Sequence, residues 1–161
     1  MFLSYLRSSL IPLLLLLCFA GNREEILAIE SQPVKPQPGT SAGPLRFKDI
    51  RYLTRSLQDF KNQKAFVVIA CNTTCPLVKR YLPRLKELEQ QYRPQGVQFI
   101  ALHTGPSDSI REIAEFAIVH EIPFPNVQDF HSQSVKTLGL VRTPEVAVLD
   151  SDFKLHYRGR I

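Results

Sequence analysis

Three cysteines among 161 residues are too few for a disulfide-stapled scaffold, so the fold must rest on a hydrophobic core. No basic stripe interleaved with aromatic residues runs through the chain, and its net charge of +5 is spread out. That pattern excludes a nucleic-acid-binding surface. No apolar run reaches the roughly 20 residues that a membrane-spanning helix needs. No internal repeat is present either. What remains, 44% hydrophobic and 22% charged residues, is the composition of one ordinary globular domain.

The longest apolar run is "LIPLLLLLCFA" at 10–20, preceded by "MFLSYLR" with its single cation. This is the layout of a secretory signal, with Cys18 and Ala20 as the small residues a signal peptidase reads. Cleavage after Ala20 is the expected outcome. Lipid modification at Cys18 and an uncleaved membrane tether through residues 1–20 are the alternatives. All three put the domain outside the cytoplasm, where disulfides persist. Residues 21–44, including "SQPVKPQPGTSAGP", form a Pro-, Gly- and Ser-rich linker, leaving 45–161 for the domain.

Within 45–161, "LRFKDI" and "YLTRSL" predict an entry hairpin, followed by a helical turn. "AFVVIA" (65–70) and "VQFIAL" (97–102) are continuous apolar runs suited to buried strands. Between them, Leu77, Tyr81, Leu85, Leu88 and Tyr92 predict one apolar helix stripe. Ser109 and Glu112 have the spacing of a capping box, with Ile110, Ile113, Ala114, Ala117 and Ile118 expected on one buried face. A short helix over 132–138 ends at Gly139, and strands at 145–150 and 154–160 are close enough to form a hairpin. The order predicts an α/β mixed sheet with helices on both faces.

The stretch "ACNTTCPLVKRYLP" carries the chemistry. Pro76 suits the first helical position and so makes Cys75 the N-cap, where unpaired N–H groups and the helix dipole favour a thiolate. Lys79 and Arg80 lie one turn on. Cys71 has two readings: a partner thiol across the turn, or a small core residue at the end of the strand.

These residues resemble the thioredoxin-fold redoxins, the group holding thioredoxins, thiol–disulfide oxidoreductases and AhpC/TSA peroxiredoxins. The resemblance rests on the strand running into a helix-start cysteine, on Pro83 eight residues after Cys75, and on "RTPEVAVLD", where such folds place a cis-proline, here Pro144. It implies a thioredoxin-like sheet, and the chain ends at "YRGRI" without the helix that usually covers one sheet face. Either the sequence is a fragment or the domain is completed by a partner or a second copy, and the missing helix is expected to leave apolar sheet surface uncovered. The resemblance also implies Cys75 as nucleophile toward a peroxide or a protein disulfide, with Cys71 as the resolving thiol. Pro144, Thr143 and Arg142 would shape the docking groove, and Thr74 would stand beside it. A thiol reductant would be the partner, and no cofactor or metal is required.

Three departures keep other classes open. Val78 occupies the position of the second cysteine in thioredoxins. Asn72 and Pro144 fall where peroxiredoxins carry a peroxide-binding threonine and arginine, with Thr73, Thr74 and Arg142 close by. "CNTTCP" also resembles the Cys-x-x-x-Cys-Pro of Sco-type copper proteins, for which His103 is the best-placed imidazole, although a solvated loop position is the simpler expectation for it. His120, His131 and His156 are expected at the surface or at helix ends. A redox-inactive binding module built around Pro144 is the third class.

Overall fold

Buried apolar strands need covering on both sides, and this sheet meets that need with two separate clusters. A computed structural model of the chain describes residues 36–161. Its strands are β1 (Arg46–Asp49), β2 (Thr54–Ser56), β3 (Ala65–Cys71), β4 (Val97–His103), β5 (Asn126–Gln128), β6 (Glu145–Asp150) and β7 (Leu155–Arg160). Three α-helices join them: α1 (Pro76–Tyr92), α2 (Ile110–Val119) and α3 (Gln133–Leu138). The strands form one mixed sheet in the order β2-β1-β5-β4-β3-β6-β7. β3 pairs in parallel with β4 and β4 with β5, while β6 and β7 form the antiparallel hairpin next to β3. This is a thioredoxin-like fold.

Alternation along β3 divides the core. Phe66, Val68 and Ala70 join the cluster that includes Leu57, Leu138 and Leu149, whereas Ile69 and Cys71 join Val78, Leu82, Leu85 and Phe116 under α1 and α2. Helix α2 has the expected capping box, with Ser109 Oγ accepting from Glu112 N at 3.2 Å and Glu112 Oε2 accepting from Ser109 N at 2.8 Å. Gly139 closes α3 at φ +65°, a left-handed conformation that glycine adopts without strain.

Two helix faces differ from the expectation. Helix α1 buries Val78, Leu82, Leu85 and Glu89, whereas Leu77 is half exposed and Tyr92 is exposed. Helix α1 in fact carries two apolar stripes. Tyr81 and Leu88 pack partly buried against the core and, with Tyr92, line an open apolar groove of ≈ 590 Å³ that also includes Val67, Val146 and Val148. In α2 the buried residue beyond Ile110 and Ile113 is Phe116, and Ile118 is exposed on the opposite side. Steps of three, rather than the four-residue step to Ile118, keep this short helix on the sheet.

Residues 39–42, the end of the expected linker, are tied to the domain. Gly39 N donates to Leu155 O at 2.7 Å and Ala42 N to Phe153 O at 2.8 Å. The expected signal at 1–20 and the linker as far as residue 35 lie outside the described residues. Among the described residues no helix is long and apolar enough to cross a membrane.

Candidate active site

The site forms where β3 stops. The amide of Cys75 donates to Asn72 O at 3.2 Å, folding 72–75 into a turn that delivers the chain into α1. Cys75 is the N-cap of α1, in extended conformation (φ −74°, ψ 116°), with Pro76 at the first helical turn. Pro83 lies inside the same helix. Across from the thiol runs the cis peptide Thr143–Pro144. Cys75 Sγ donates to Thr143 O at 3.7 Å, and both cysteines are free thiols.

Burial pushes the Cys75 thiol up, but the Val78 backbone N–H, the Thr143 side chain and the Leu77 backbone N–H outweigh it, so the thiol titrates below its ordinary value of 9.0. Two of these groups, the Leu77 and Val78 amides, are unpaired N–H groups of the first helical turn. Lys79 and Arg80 are exposed. Beside the thiol a groove of ≈ 310 Å³ opens between Leu77 and Tyr81 on one wall and Thr143 and Pro144 on the other, with Arg142 at its rim. Pro144 itself is buried, and Arg142 is exposed with its amide donating to Glu145 Oε2 at 3.2 Å.

Cys71 belongs to the strand. Its side chain is 1% exposed and packs in the α1–α2 core, and burial, with the charges of Asp108 and Cys75, drives its thiol well above the ordinary range. Thr73 and Thr74 are both committed to internal bonds. Thr73 Oγ1 donates to Asp108 Oδ1 at 2.6 Å, and Thr74 Oγ1 donates to Asn72 Oδ1 at 2.6 Å.

His103 corrects the expectation of a solvated loop histidine. It is the last residue of β4, fully buried, because the strand runs one residue further than its apolar run. Its ring packs edge-on against Phe116 at 5.7 Å between centroids. Nε2 lies 2.9 Å from Asn126 Oδ1, and Nδ1 lies 3.8 Å from Asp108 Oδ2. Among the described residues no group of three His, Cys, Asp or Glu side chains is placed to hold a metal ion. His120 caps the C-terminus of α2, while His131 and His156 are exposed.

Asp108 is the site residue that pattern reading passed over. It is buried, and its carboxylate accepts from Thr73 N at 3.2 Å, from Thr73 Oγ1 and from Gly105 N at 3.1 Å. A Cβ at Gly105 would collide with Asp108 Oδ2 and Asn72 Nδ2, so the loop after β4 needs glycine there for close approach. The available signal was an acid between a strand-end glycine and a helix cap, too short a pattern to distinguish from a solvated loop.

With this geometry in view, comparison with known proteins is decisive for the family. The AhpC/TSA family profile matches residues 38–159. The chain belongs to the AhpC/TSA family. This redoxin is 26% identical over 143 residues to the thiol-disulfide oxidoreductase ResA of Bacillus thuringiensis subsp. konkukian, covering 89% of this chain and 81% of that one. Among solved structures it is similar to an uncharacterized conserved protein of Geobacillus kaustophilus, at TM-score 0.71 and 28% identity, covering 77% of this chain and 69% of that one. The thioredoxin domain of a thiol-disulfide oxidoreductase from Bacteroides vulgatus matches at TM-score 0.66 and 15% identity, over 76% and 88% of the two chains, which shows the shared fold.

Asp108 gives a prediction for stability. Burial pushes its carboxyl up, but the His103 side chain and the Thr73 hydroxyl and amide outweigh it and hold it below its ordinary 3.8. A depressed carboxyl contributes stability that is present above pH 3.8 and lost as pH falls through the folded value. Asp108→Asn should therefore cost about 2 kcal/mol at neutral pH. Urea unfolding across pH should show the gap to wild type closing as the acid limb is entered; a gap constant with pH would contradict the assignment.

Proposed function

We propose that this redoxin is a thiol–disulfide oxidoreductase whose nucleophile is Cys75. The observation that carries the reading is the half-buried Cys75 thiol at the N-terminus of α1, facing Thr143 O with its titration lowered by backbone donors. A thiolate held there attacks one sulfur of a substrate disulfide. The Cys75–substrate S–S bond forms, the substrate S–S bond breaks, and the departing thiolate takes up a proton. The groove between Leu77, Tyr81 and Pro144 is shaped to receive the substrate backbone beside the sulfur. The relatives named as thiol-disulfide oxidoreductases support the same chemistry. A protein disulfide is favoured over a peroxide because Thr73 and Thr74 spend their hydroxyls on Asp108 and Asn72. An external thiol reductant returns the enzyme to its dithiol state. Residues 1–20 serve as an export segment and 45–161 as the redoxin domain.

Two measurements check this reading. In a Cys18→Ser/Cys71→Ser chain, glutathione disulfide should add one glutathionyl group, mapped to Cys75 by mass spectrometry, and Cys75→Ser should remove the reaction. Labelling that survives Cys75→Ser would contradict it. For export, the chain recovered from a secreting bacterial host should begin at Gly21; a cytoplasmic product retaining Met1 would contradict that assignment.

A further inference from the structure

The Cys75 sulfur faces Thr143, and Thr143 lies where two grooves meet. One is the groove walled by Leu77, Tyr81 and Pro144. The other, of ≈ 360 Å³, opens among Asn72, Thr104 and Val141. A chain that brings its disulfide to Cys75 passes over Thr143 with a neighbouring residue near each groove. Arg142 stands at the junction and lines both.

The uncompensated charges along this path are positive. Arg142 and Arg160 are exposed, and among the described residues neither lies within ion-pair distance of a carboxylate, whereas Arg51, Arg55, Arg84, Arg93 and Arg111 each do. Among the described residues Glu145 is the one acid on the lining of either groove. Its Oε2 is taken up by backbone, accepting from Val141 N at 2.8 Å and from Arg142 N at 3.2 Å. Arg160 is the register partner of Glu145 across β6–β7, yet the two close no ion pair. Helix α1 has no acid in its first turn, and Lys79 and Arg80 are exposed just beyond it. The Asp108 carboxylate behind the turn is buried and already bonded to Thr73 and Gly105.

Exposed arginines of this kind add little to the stability of a fold. Beside a cleft with apolar walls their field instead acts on whatever enters, and a guanidinium can hold an incoming carboxylate through two parallel hydrogen bonds.

We propose that Arg142 and Arg160 select protein disulfides whose reacting cysteine is flanked by aspartate or glutamate. The inference rests on the reading of Cys75 as nucleophile and names the substrate class of that site. Carboxylates beside a disulfide repel an approaching thiolate, so such disulfides are intrinsically slow partners. The two guanidiniums offset that repulsion and draw the acidic chain toward Thr143, which favours encounter more than it tightens the bound state. A lysine-flanked disulfide meets the same two cations as a barrier.

The test uses three disulfide-linked peptide dimers that differ only in charge: acetyl-Glu-Cys-Glu-amide, acetyl-Gln-Cys-Gln-amide and acetyl-Lys-Cys-Lys-amide. In a Cys18→Ser/Cys71→Ser chain, Cys75 displaces one peptide thiolate and keeps the other peptide as a mixed disulfide, whose rate of formation is read by mass spectrometry. Each rate is divided by that of 2-mercaptoethanol with the same peptide, which removes the intrinsic reactivity of the disulfide. At about 0.01 M ionic strength the Glu peptide should exceed the Lys peptide about tenfold, with the Gln peptide between them. At about 1 M, where the screening length has fallen from about 30 Å to about 3 Å, the preference should largely vanish. Adding Arg142→Gln and Arg160→Gln should cut the low-salt preference to about twofold or less. Equal normalised rates, a faster Lys peptide, a preference that persists at 1 M, or one that the two substitutions leave intact overturns the inference while the Cys75 reading stands. No adduct with any of the three peptides overturns the Cys75 reading and the inference with it.

Discussion

The Asp108 carboxylate holds the site together. It is fixed by Gly105 N and by the amide and hydroxyl of Thr73, and it faces His103. Through these bonds one buried charge ties the turn between the two cysteines to the loop after β4. The turn also closes on itself through Cys75 N and Asn72 O, and Asp108 adds its tie to the loop. With it, Cys75 is delivered to the first turn of α1, opposite Thr143 and cis-Pro144, in the geometry that lowers a thiol. The need for glycine at 105 follows from the same constraint, since the loop can reach the turn only if nothing larger intervenes.

The same few ångströms place two thiols in opposite environments. Cys75 is offered amide donors and a groove, and its titration falls; Cys71 is enclosed by apolar side chains near a carboxylate, and its titration rises. A fold of ordinary apolar strands therefore produces an asymmetric pair, one thiol whose titration is lowered and one held protonated. Exchange chemistry uses such a difference, because the first attack must come from an accessible thiolate and the second from a protected thiol. The departure at Val78, which removes the usual second cysteine from the helix, moves any resolving role onto the strand.

Much of this was legible in the sequence because it depends on local rules. The N-cap at Cys75, the Ser109–Glu112 box and the Gly139 stop each follow from a residue type at a fixed offset, and the cis-proline at 144 was implied by the resemblance to the redoxins. What was not legible depends on which way an element faces. Helix α1 carries two apolar stripes, and only packing decides that Val78 and Leu82 enter the core while Leu88 and Tyr92 line a groove. His103 looks like a loop residue because its strand continues past the last aliphatic side chain, and Asp108 gives no signal because the turn it holds lies 35 residues away, at Thr73. Strand register, not periodicity, brings these groups together.

The account stands on the state of the Cys75 sulfur, and its rate of alkylation by iodoacetamide against pH reads that state directly. In a Cys18→Ser/Cys71→Ser chain, where Cys75 is the one cysteine left, the rate should follow a single titration with its midpoint below 9.0. A midpoint at or above that value would mean that the first turn of α1 does not hold a thiolate, and the assignment of Cys75 as nucleophile would fail.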